Sequence, residues 1–178
     1  MAGREFHDGA TDGLEALEPL DPEKIHSFSE LLEAMRKTAF GGRRLGEAYE
    51  TLAAMIEDAD CKVVLTLSGA MTIAKMGKII STMIDRGMVQ AIISTGALVA
   101  HGLSESVGKL HYRHEASHSD EELFQKGYNR VYDTLEMESN LNYVEHVVSL
   151  TLKRIDTEQP LSSHLLTREL GKTLARAL

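Results

Sequence analysis

Apolar residues between Cys61 and Leu103 fall into two short blocks that flank a segment with helical periodicity. The blocks, KVVLTL at 62–67 and VQAIIS at 89–94, are rich in β-branched residues and do not alternate strictly, which is typical of strands buried on both faces. The segment 71–86 between them predicts a helix, and Gly87 stands where its C-cap is expected. This order predicts a parallel βαβ unit. The inward residues of the helix are Ile73, Met76, Ile80, Met83 and Ile84.

Two helices are predicted before this unit. Ser27 and Glu30 have the spacing of a capping box, and an apolar face follows until Gly41-Gly42 ends the first helix. The second helix ends in the polar stretch 57–60, and residues 1–21 predict a flexible N-terminal arm because they are acidic and interrupted by Gly and Pro. The inward residues are Phe28, Leu31, Leu32 and Met35, then Leu45, Ala48, Tyr49, Leu52, Met55 and Ile56.

The rest of the chain is predicted to be mainly helical. Residues 110–119 predict a polar loop rich in histidine, and helices are predicted at 120–126, at 140–156 and from Ser163 onward. Two strands fall short of the about 5–6 of an average sheet, and the last helix stops without a capping signal. We therefore predict an α/β fold whose parallel sheet, flanked by helices, is incomplete in this chain. The inward residues are Leu141, Val144, Val148, Leu152 and Ile155, then Leu166, Leu170 and Leu174.

Composition and charge exclude several classes of protein. The formal net charge of −8 argues against nucleic-acid binding, because phosphate contacts need a basic face. No apolar stretch approaches the ~20 residues that span a bilayer, and the N-terminal segment lacks the pattern of a signal peptide. The single cysteine, Cys61, cannot form an internal disulfide and is interpreted as a structural thiol. We predict a cytoplasmic protein without nucleic-acid or membrane partners.

Small-residue loops follow both predicted strands. Ser68-Gly69-Ala70-Met71-Thr72 follows the first strand and Ser94-Thr95-Gly96-Ala97 follows the second. Since parallel strands end at the same edge of a sheet, one extended ligand could contact both loops there. Small residues allow a close approach to the backbone, and helix N-termini favour phosphate. The alternative is that both loops are simple packing turns.

Histidines offer two further candidate sites. His101 follows the second loop closely enough to hydrogen-bond a ligand or move a proton there, although an exposed histidine at a helix start is the alternative. His114 and His118 match the spacing HExxH, but that zinc motif requires a helix, and this polar stretch predicts a solvated loop. We predict no metal site.

Four segments together resemble the deoxyhypusine synthase family, in particular its prokaryotic deoxyhypusine synthase-like branch. They are TAFGGRRLGEA, VVLTLSGAMTIAKMGKII, MVQAIISTGALVAHGL and KGYNRVYDTL, and the resemblance covers roughly residues 22–155. It implies a Rossmann-like, NAD-binding α/β fold, with residues 22–178 as its N-terminal part, and a homotetramer. It also implies transfer of the aminobutyl group of spermidine, with NAD as the oxidant. The acceptor stays open: a lysine of a translation factor in authentic members, or another amine, as in homospermidine formation.

The resemblance assigns roles to individual residues. Gly69, Ala70, Met71, Thr72 and Ile73 match the first NAD-contacting loop, and Thr95, Gly96 and Ala97 match the second. Authentic synthases carry two acidic residues where this chain has Ala100 and His101, so a cationic polyamine loses an anionic partner, and His101, as in the branch, becomes the candidate substrate contact. The chain also departs from the branch at three positions. Lys75 stands for an expected Gly, Leu98 for an expected Asn and Gly102 for an expected Asp.

No segment matches the Trp-Gly-Lys context that holds the family's catalytic lysine, so no lysine of this chain is given that role. Three hypotheses therefore remain open. The chain is the NAD-binding part of a transferase, or a non-catalytic NAD-binding subunit that pairs with a full-length paralogue, or a plain NAD-binding or structural domain. The incomplete sheet predicts that the isolated chain associates or aggregates.

Overall fold

The computed structural model describes residues 6–155, 158 and 160–177. The chain divides into two compact units between Val63 and Val64, and the division predicted between residues 21 and 22 stays a prediction. Residues 6–21 contain turns but no helix or strand, and a 3₁₀ turn follows at Pro22–Lys24. No helix within the described ranges combines the length and the apolar character that crossing a membrane requires.

The first unit contains two packed helices, α1 (Phe28–Arg36) and α2 (Phe40–Glu57). The predicted cap is present, since the Ser27 hydroxyl accepts a hydrogen bond from the Glu30 backbone N–H at 3.2 Å. The inward position predicted for Phe28 is wrong, because this side chain is 85% exposed. Four of the residues predicted to face inward from α2 are also exposed: Leu45, Ala48, Leu52 and Ile56.

The predicted helix break at Gly41-Gly42 is also wrong. Both glycines lie in the first turn of α2, and the chain turns before them, between Arg36 and Phe40. Side chains hold this turn: the Thr38 hydroxyl donates to the Met35 carbonyl at 2.7 Å, and Arg43 Nε donates to the Thr38 carbonyl at 2.8 Å. Further along α2, Gly46 is buried against the backbone of α1.

The second unit begins with the predicted βαβ unit. Strand β1 (Val64–Leu67), helix α3 (Gly77–Asp85) and strand β2 (Ala91–Ser94) follow in order, and the two strands are parallel, with Val64 opposite Ala91. Gly87, with φ +68°, ends α3 in the manner predicted. However, α3 begins six residues later than the predicted start at Met71, because residues 71–75 form a separate turn.

The prediction that both strands are buried on both faces is wrong for the described residues. Val64 is 48% exposed and Ile93 is 63% exposed. In the described part of the chain β1 pairs only with β2, so both strands keep an open edge and an uncovered face. Open edges and apolar faces of this kind promote association with other chains.

We therefore expect the isolated chain to self-associate in sedimentation velocity experiments. Replacing Ile93 by Lys should reduce this association, because a charge on an exposed strand opposes edge-to-edge pairing. The inward position predicted for Ile84 is wrong, since it is 49% exposed on α3, and Ile84→Lys therefore serves as a control for the added charge alone. A monomeric wild-type chain at the concentrations used for the other measurements would contradict the expectation.

A second sheet was not predicted. After helix α4 (Gly96–Ser106), strand β3 (His111–Arg113) lies within the segment 110–119 that was predicted as a loop, so that prediction holds only for the part after the strand. Strands β4 (Tyr128–Val131) and β5 (Thr134–Met137) form a hairpin, and β5 lies between β3 and β4 in an antiparallel sheet.

The short predicted helix is present as α5 (Asp120–Gln125) and is fixed to the hairpin. Ser119 and Glu122 form a complete capping box at its start. The Arg130 guanidinium donates hydrogen bonds to both carboxylate oxygens of Asp120, and this contact lowers the pKa of the Asp120 carboxyl. The pair therefore joins the first turn of α5 to strand β4.

Helices α6 (Glu138–Leu152) and α7 (Ser163–Ala177) complete the second unit. Helix α6 starts two residues before the predicted start and ends before the predicted end at residue 156, which lies outside the described residues. The inward position predicted for Leu152 is wrong, since it is 43% exposed. The predicted inward positions of α7 are confirmed, because Leu170 is buried and the other two predicted residues, Leu166 and Leu174, pack against the same core. The core contains Leu103, Val144, Val147 and Leu170, with Leu166 and Leu174 packed against it.

Candidate functional site

The carboxyl ends of β1 and β2 lie side by side, as predicted. Leu67 is the register partner of Ser94, so the two small-residue loops leave the sheet at the same edge. A cavity of about 330 Å³ opens there between the last residues of the strands. It is lined by Thr66, Leu67, Ser68, Ile93, Ser94 and Thr95. The structure therefore brings together the starts of both predicted ligand loops.

The first loop exposes its glycine and buries its end. Gly69 has φ +66°, a left-handed conformation that suits glycine, and a Cβ atom placed there would meet no atom within 4 Å. Ala70 and Met71 are half-buried, whereas Thr72 and Ile73 are buried. The Thr72 hydroxyl donates to the Leu98 carbonyl at 3.2 Å, so this residue ties the first loop to α4.

The second loop is shorter than predicted. Thr95 is the N-cap of α4, and Gly96 and Ala97 belong to the first helical turn. All three residues are exposed, and no side chain caps this helix end. Backbone N–H groups at an uncapped helix N-terminus, together with the helix dipole, attract anionic groups such as phosphate.

Gly102 closes the gap between the first loop and α4. A Cβ atom at this position would lie 3.3 Å from Thr72 Cγ2, which is tighter than ordinary contact. An aspartate, the residue that the family resemblance leads one to expect here, would crowd the Thr72 side chain. The presence of glycine in place of the expected aspartate at position 102 therefore has a steric reason in this structure.

Lys75 has an unusual backbone conformation. The Met76 N–H donates to the Met71 carbonyl at 3.0 Å and the Lys75 N–H to the Thr72 carbonyl at 2.9 Å. This is the Schellman pattern, which favours glycine at the position that Lys75 occupies with φ +66°. A non-glycine residue in this conformation costs about 1 kcal/mol. The expected glycine at this position therefore has a physical reason, and the side chain of Lys75 makes contacts that a glycine could not.

His101 lies in the interior of α4 and not at an exposed helix start. Its side chain is 16% exposed, and Nδ1 lies 2.8 Å from Oε2 of Glu136, although the angle does not suit a hydrogen bond. Glu136 belongs to β5 and is only 1% exposed. Its second oxygen, Oε1, lies 3.2 Å from Nε2 of His111, whose side chain is buried as well.

This group of three side chains, His101, His111 and Glu136, was missed by sequence reasoning. His111 and Glu136 are direct register partners of β3 and β5, two strands that were not predicted. Helix α4 supplies His101. One available signal was the alternation of apolar and polar residues at 134–137, but four residues are too few to separate a strand from a loop.

Lys75 extends the cluster towards the surface. Its Nζ lies 2.9 Å from Nδ1 of His111 and 3.3 Å from Oε1 of Glu105. The lysine ammonium donates to both atoms, so Nδ1 of His111 acts as an acceptor and the ring proton resides on Nε2, towards Glu136. The turn at 71–76 is thereby connected to the second sheet through a side chain.

The HExxH spacing does not form a zinc motif. His114 and His118 lie in a loop after β3, as predicted, and Nε2 of His114 is 3.4 Å from the backbone carbonyl of His118. Without a helix the two rings are not held on one face. Cys61 is a half-buried free thiol, and its interpretation as a structural thiol stays a prediction.

Comparison with known proteins places the chain in one family. The family model described as deoxyhypusine synthase matches residues 30–177. The chain is 35% identical over 158 residues to the "probable deoxyhypusine synthase 2" of Methanosarcina mazei, which covers 89% of this chain and 45% of that protein. Identity to the "deoxyhypusine synthase-like protein" of Elusimicrobium minutum is 30% over 162 residues, or 90% of this chain and 43% of the relative.

A further archaeal relative, the "probable deoxyhypusine synthase 2" of Archaeoglobus fulgidus, is 33% identical over 144 residues, which is 81% of this chain and 46% of the relative. The chain thus spans somewhat less than half the length of these curated relatives. Because the family model matches most of the chain, the resemblance predicted from four segments is confirmed. The chain belongs to the deoxyhypusine synthase family.

Proposed function

We propose that this chain provides an NAD-binding part of a transferase of the deoxyhypusine synthase type. The reaction would move the aminobutyl group of spermidine to a protein lysine or to another amine. The observation that carries the proposal is the shared sheet edge, where Gly69 and Gly96 both leave the space above the backbone open. Family membership supports the reaction class, and the open edge supports the cofactor.

The residues at this edge fit a dinucleotide. A phosphate group of NAD would lie at the N-terminus of α4, against Thr95, Gly96 and Ala97, because this helix end is exposed and uncapped. Gly69, Ala70 and Met71 would line the other side of the ligand. Thr72 and Ile73 are buried, so we assign them to holding the first loop in place. NAD, when bound, supplies the acceptor for a hydride from the amine substrate.

His101 is the residue of this chain that we propose for contact with the amine. It lies on α4, the helix whose first turn would hold the cofactor, and its side chain keeps some exposure. The acidic pair of authentic synthases is absent at Ala100 and His101. A neutral imidazole can hydrogen-bond an amine without supplying a negative charge, so we expect a different amine preference from that of authentic synthases.

NAD binding can be tested by isothermal titration of the chain alone and mixed with a full-length family member. Gly96→Leu should weaken NAD binding at least about tenfold, or ~1.4 kcal/mol, because the new side chain would occupy the space that the cofactor needs. Gly171→Leu is the matched control and should leave NAD affinity unchanged. A Cβ atom at Gly171 would also meet no atom within 4 Å, and this residue is exposed on α7.

Absence of NAD binding in both samples, or equal affinity for the Gly96 and Gly171 variants, would contradict the cofactor assignment. A second measurement follows the absorbance of the reduced cofactor after addition of spermidine. Reduction in the mixture that depends on Gly96 would support a part in the transferase. NAD binding without any contribution to reduction in the mixture would favour the alternative, a non-catalytic NAD-binding subunit.

A further inference from the structure

We propose that His101, His111 and Glu136 form a binding site for a divalent transition metal ion, with Zn²⁺ as the best match. This proposal goes beyond the proposed function and does not depend on it. It also departs from our prediction from the sequence that the chain has no metal site. That prediction considered His114 and His118, which lie elsewhere.

The donor atoms are the kind that zinc prefers. Two imidazole nitrogens and one carboxylate oxygen make up a common set of three protein ligands, which leaves a fourth position for water or substrate. In this structure one donor atom from each of the three residues lies within 4.8 Å of the others. Donors that share a zinc ion in tetrahedral geometry, with bonds of ~2.1 Å, lie about 3.4 Å apart. The widest pair of donor atoms would therefore have to approach by up to about 1.4 Å to complete the site.

Burial favours a cation at this position. The side chains of Glu136 and His111 are each only 1% exposed, so the carboxylate is shielded from bulk solvent. A buried carboxylate requires a compensating charge. The ion-pair partners of Glu136 in the described residues are the two histidines. A neutral histidine supplies no positive charge to balance the carboxylate. A divalent ion bound by all three residues would supply the missing charge.

The hydrogen-bond pattern also leaves Nδ1 of His101 available as a metal ligand. His101 Nδ1 is buried and 2.8 Å from Glu136, yet it makes no hydrogen bond of suitable geometry. The competing arrangement is an imidazolium–carboxylate pair, which would direct an N–H of His101 along the line to the oxygen. This structure provides no such bond, whereas a metal ion that both atoms bind from beside the line joining them does not require one.

The three side chains are held by regular structure. His111 and Glu136 face each other across directly paired strands, and this pairing fixes the distance between them. His101 is carried by α4, which is anchored two residues later by Leu103 in the core of α4, α6 and α7. Metal sites bind well when their ligands are placed in advance on helices and strands.

Lys75 competes with the metal ion for His111. Coordination through Nε2 of His111 requires the ring proton to move to Nδ1, but the Lys75 ammonium now donates to Nδ1 at 2.9 Å. Lys75 is partly exposed and already lies 3.3 Å from Glu105, so it can turn towards that carboxylate when the metal binds. Removal of this side chain should therefore increase the metal affinity.

The metal site and the proposed amine contact use different atoms of His101. Coordination through Nδ1 would leave Nε2 as an N–H donor, which can hydrogen-bond a neutral amine. The metal measurements below are made without NAD and without amine. Their failure would leave the proposed cofactor site untouched, and failure of NAD binding would leave the metal site untouched.

The test is a titration of the chelator-treated chain with Zn²⁺ by calorimetry, and with Co²⁺ by visible absorption, which reports coordination geometry. We expect one equivalent to bind, and Glu136→Gln and His101→Gln each to weaken binding at least about 100-fold, since each removes a ligand. The double variant His114→Gln/His118→Gln is the matched control and should bind as the wild type does. Circular dichroism checks that each variant is folded. If Glu136→Gln does not fold, His101→Gln alone tests the removal of a ligand.

Lys75→Gly gives an independent measurement of the same site. We expect tighter Zn²⁺ binding, by about tenfold, together with unchanged or higher thermal stability, because glycine suits φ +66° at this position. Absence of a one-equivalent site in the wild type would overturn the proposal. So would equal binding by the ligand variants, or loss of binding in the loop double variant. Unchanged affinity in Lys75→Gly would overturn the competition by Lys75.

Discussion

Replacing Gly46 by Ala is expected to separate helices α1 and α2. A Cβ atom at position 46 would lie 2.5 Å from the Arg36 backbone nitrogen and 2.5 Å from the Leu32 carbonyl oxygen. Both contacts are with backbone atoms, so no side chain can turn away to make room. Overpacking of a core costs about 1–3 kcal/mol and sometimes more, and a clash with a helix backbone belongs at the upper end of that range.

Gly41→Ala is the matched control for this change. Gly41 lies in the exposed first turn of the same helix, and a Cβ atom there would meet no atom within 4 Å. Alanine should leave stability unchanged or raise it by up to about 1 kcal/mol, because alanine favours helix. Chemical denaturation measures the free energy of unfolding, and hydrogen exchange of the α1 and α2 amides locates the effect. Equal stability of Gly46→Ala and wild type would contradict the close approach of the two helices.

Leu170→Ala should destabilise the second unit by about 2–5 kcal/mol, the range observed for truncation of a buried leucine. Leu170 is buried in the core that joins α7 to α4 and α6. A buried hydrogen bond between the hydroxyls of Thr151 and Thr173, at 3.0 Å, also joins α6 to α7 and would be strained if α7 moved. The loss is therefore expected to loosen α7 from its neighbours.

Leu152→Ala is the control, since Leu152 is a leucine of α6 that is 43% exposed and lies outside the core. Its truncation should cost less than about 1 kcal/mol, because little apolar surface is lost from the core. Thermal unfolding of the two variants, compared with wild type, measures the difference. Similar midpoints for Leu170→Ala and Leu152→Ala would argue against the placement of α7 on this core.

The Leu170 variant also connects the core to the candidate site. Helix α4 contributes Leu103 to the core and carries both His101 and the exposed turn at Thr95. If the core loosens, we expect ligand affinity at both proposed sites to fall even though no ligand-contacting residue is changed. Measurement below the unfolding transition separates this effect from global unfolding.

Local signals in the sequence predicted much of the fold. The two β-branched blocks became β1 and β2, and Gly87 ended α3 because its left-handed conformation is a property of glycine itself. Ser27 capped α1 for the same kind of local reason, since it accepts from a backbone N–H only three residues ahead. The common edge of the two loops followed from parallel pairing.

Other local readings failed because side-chain contacts and backbone conformations that the residue pattern does not reveal decided the outcome. The pair Gly41-Gly42 suggested a break, yet both residues were accommodated in a helix whose preceding turn is held by Thr38 and Arg43. The start of α3 was predicted too early because Lys75 gives no sign of a left-handed residue. Only the resemblance to the family, which leads one to expect glycine there, pointed to that conformation.

The sequence by itself determined the order of the elements of the βαβ unit, the small-residue loops at its edge and the family. The βαβ unit and its loops depend on residues that are close together along the chain, and the family depends on the order of four short segments. Only the tertiary structure decided the cluster of His101, His111 and Glu136. His111 and Glu136 are 25 positions apart and meet because β3 pairs with β5. A buried carboxylate between two imidazoles leaves no periodic pattern in the sequence, so packing alone brings these groups together.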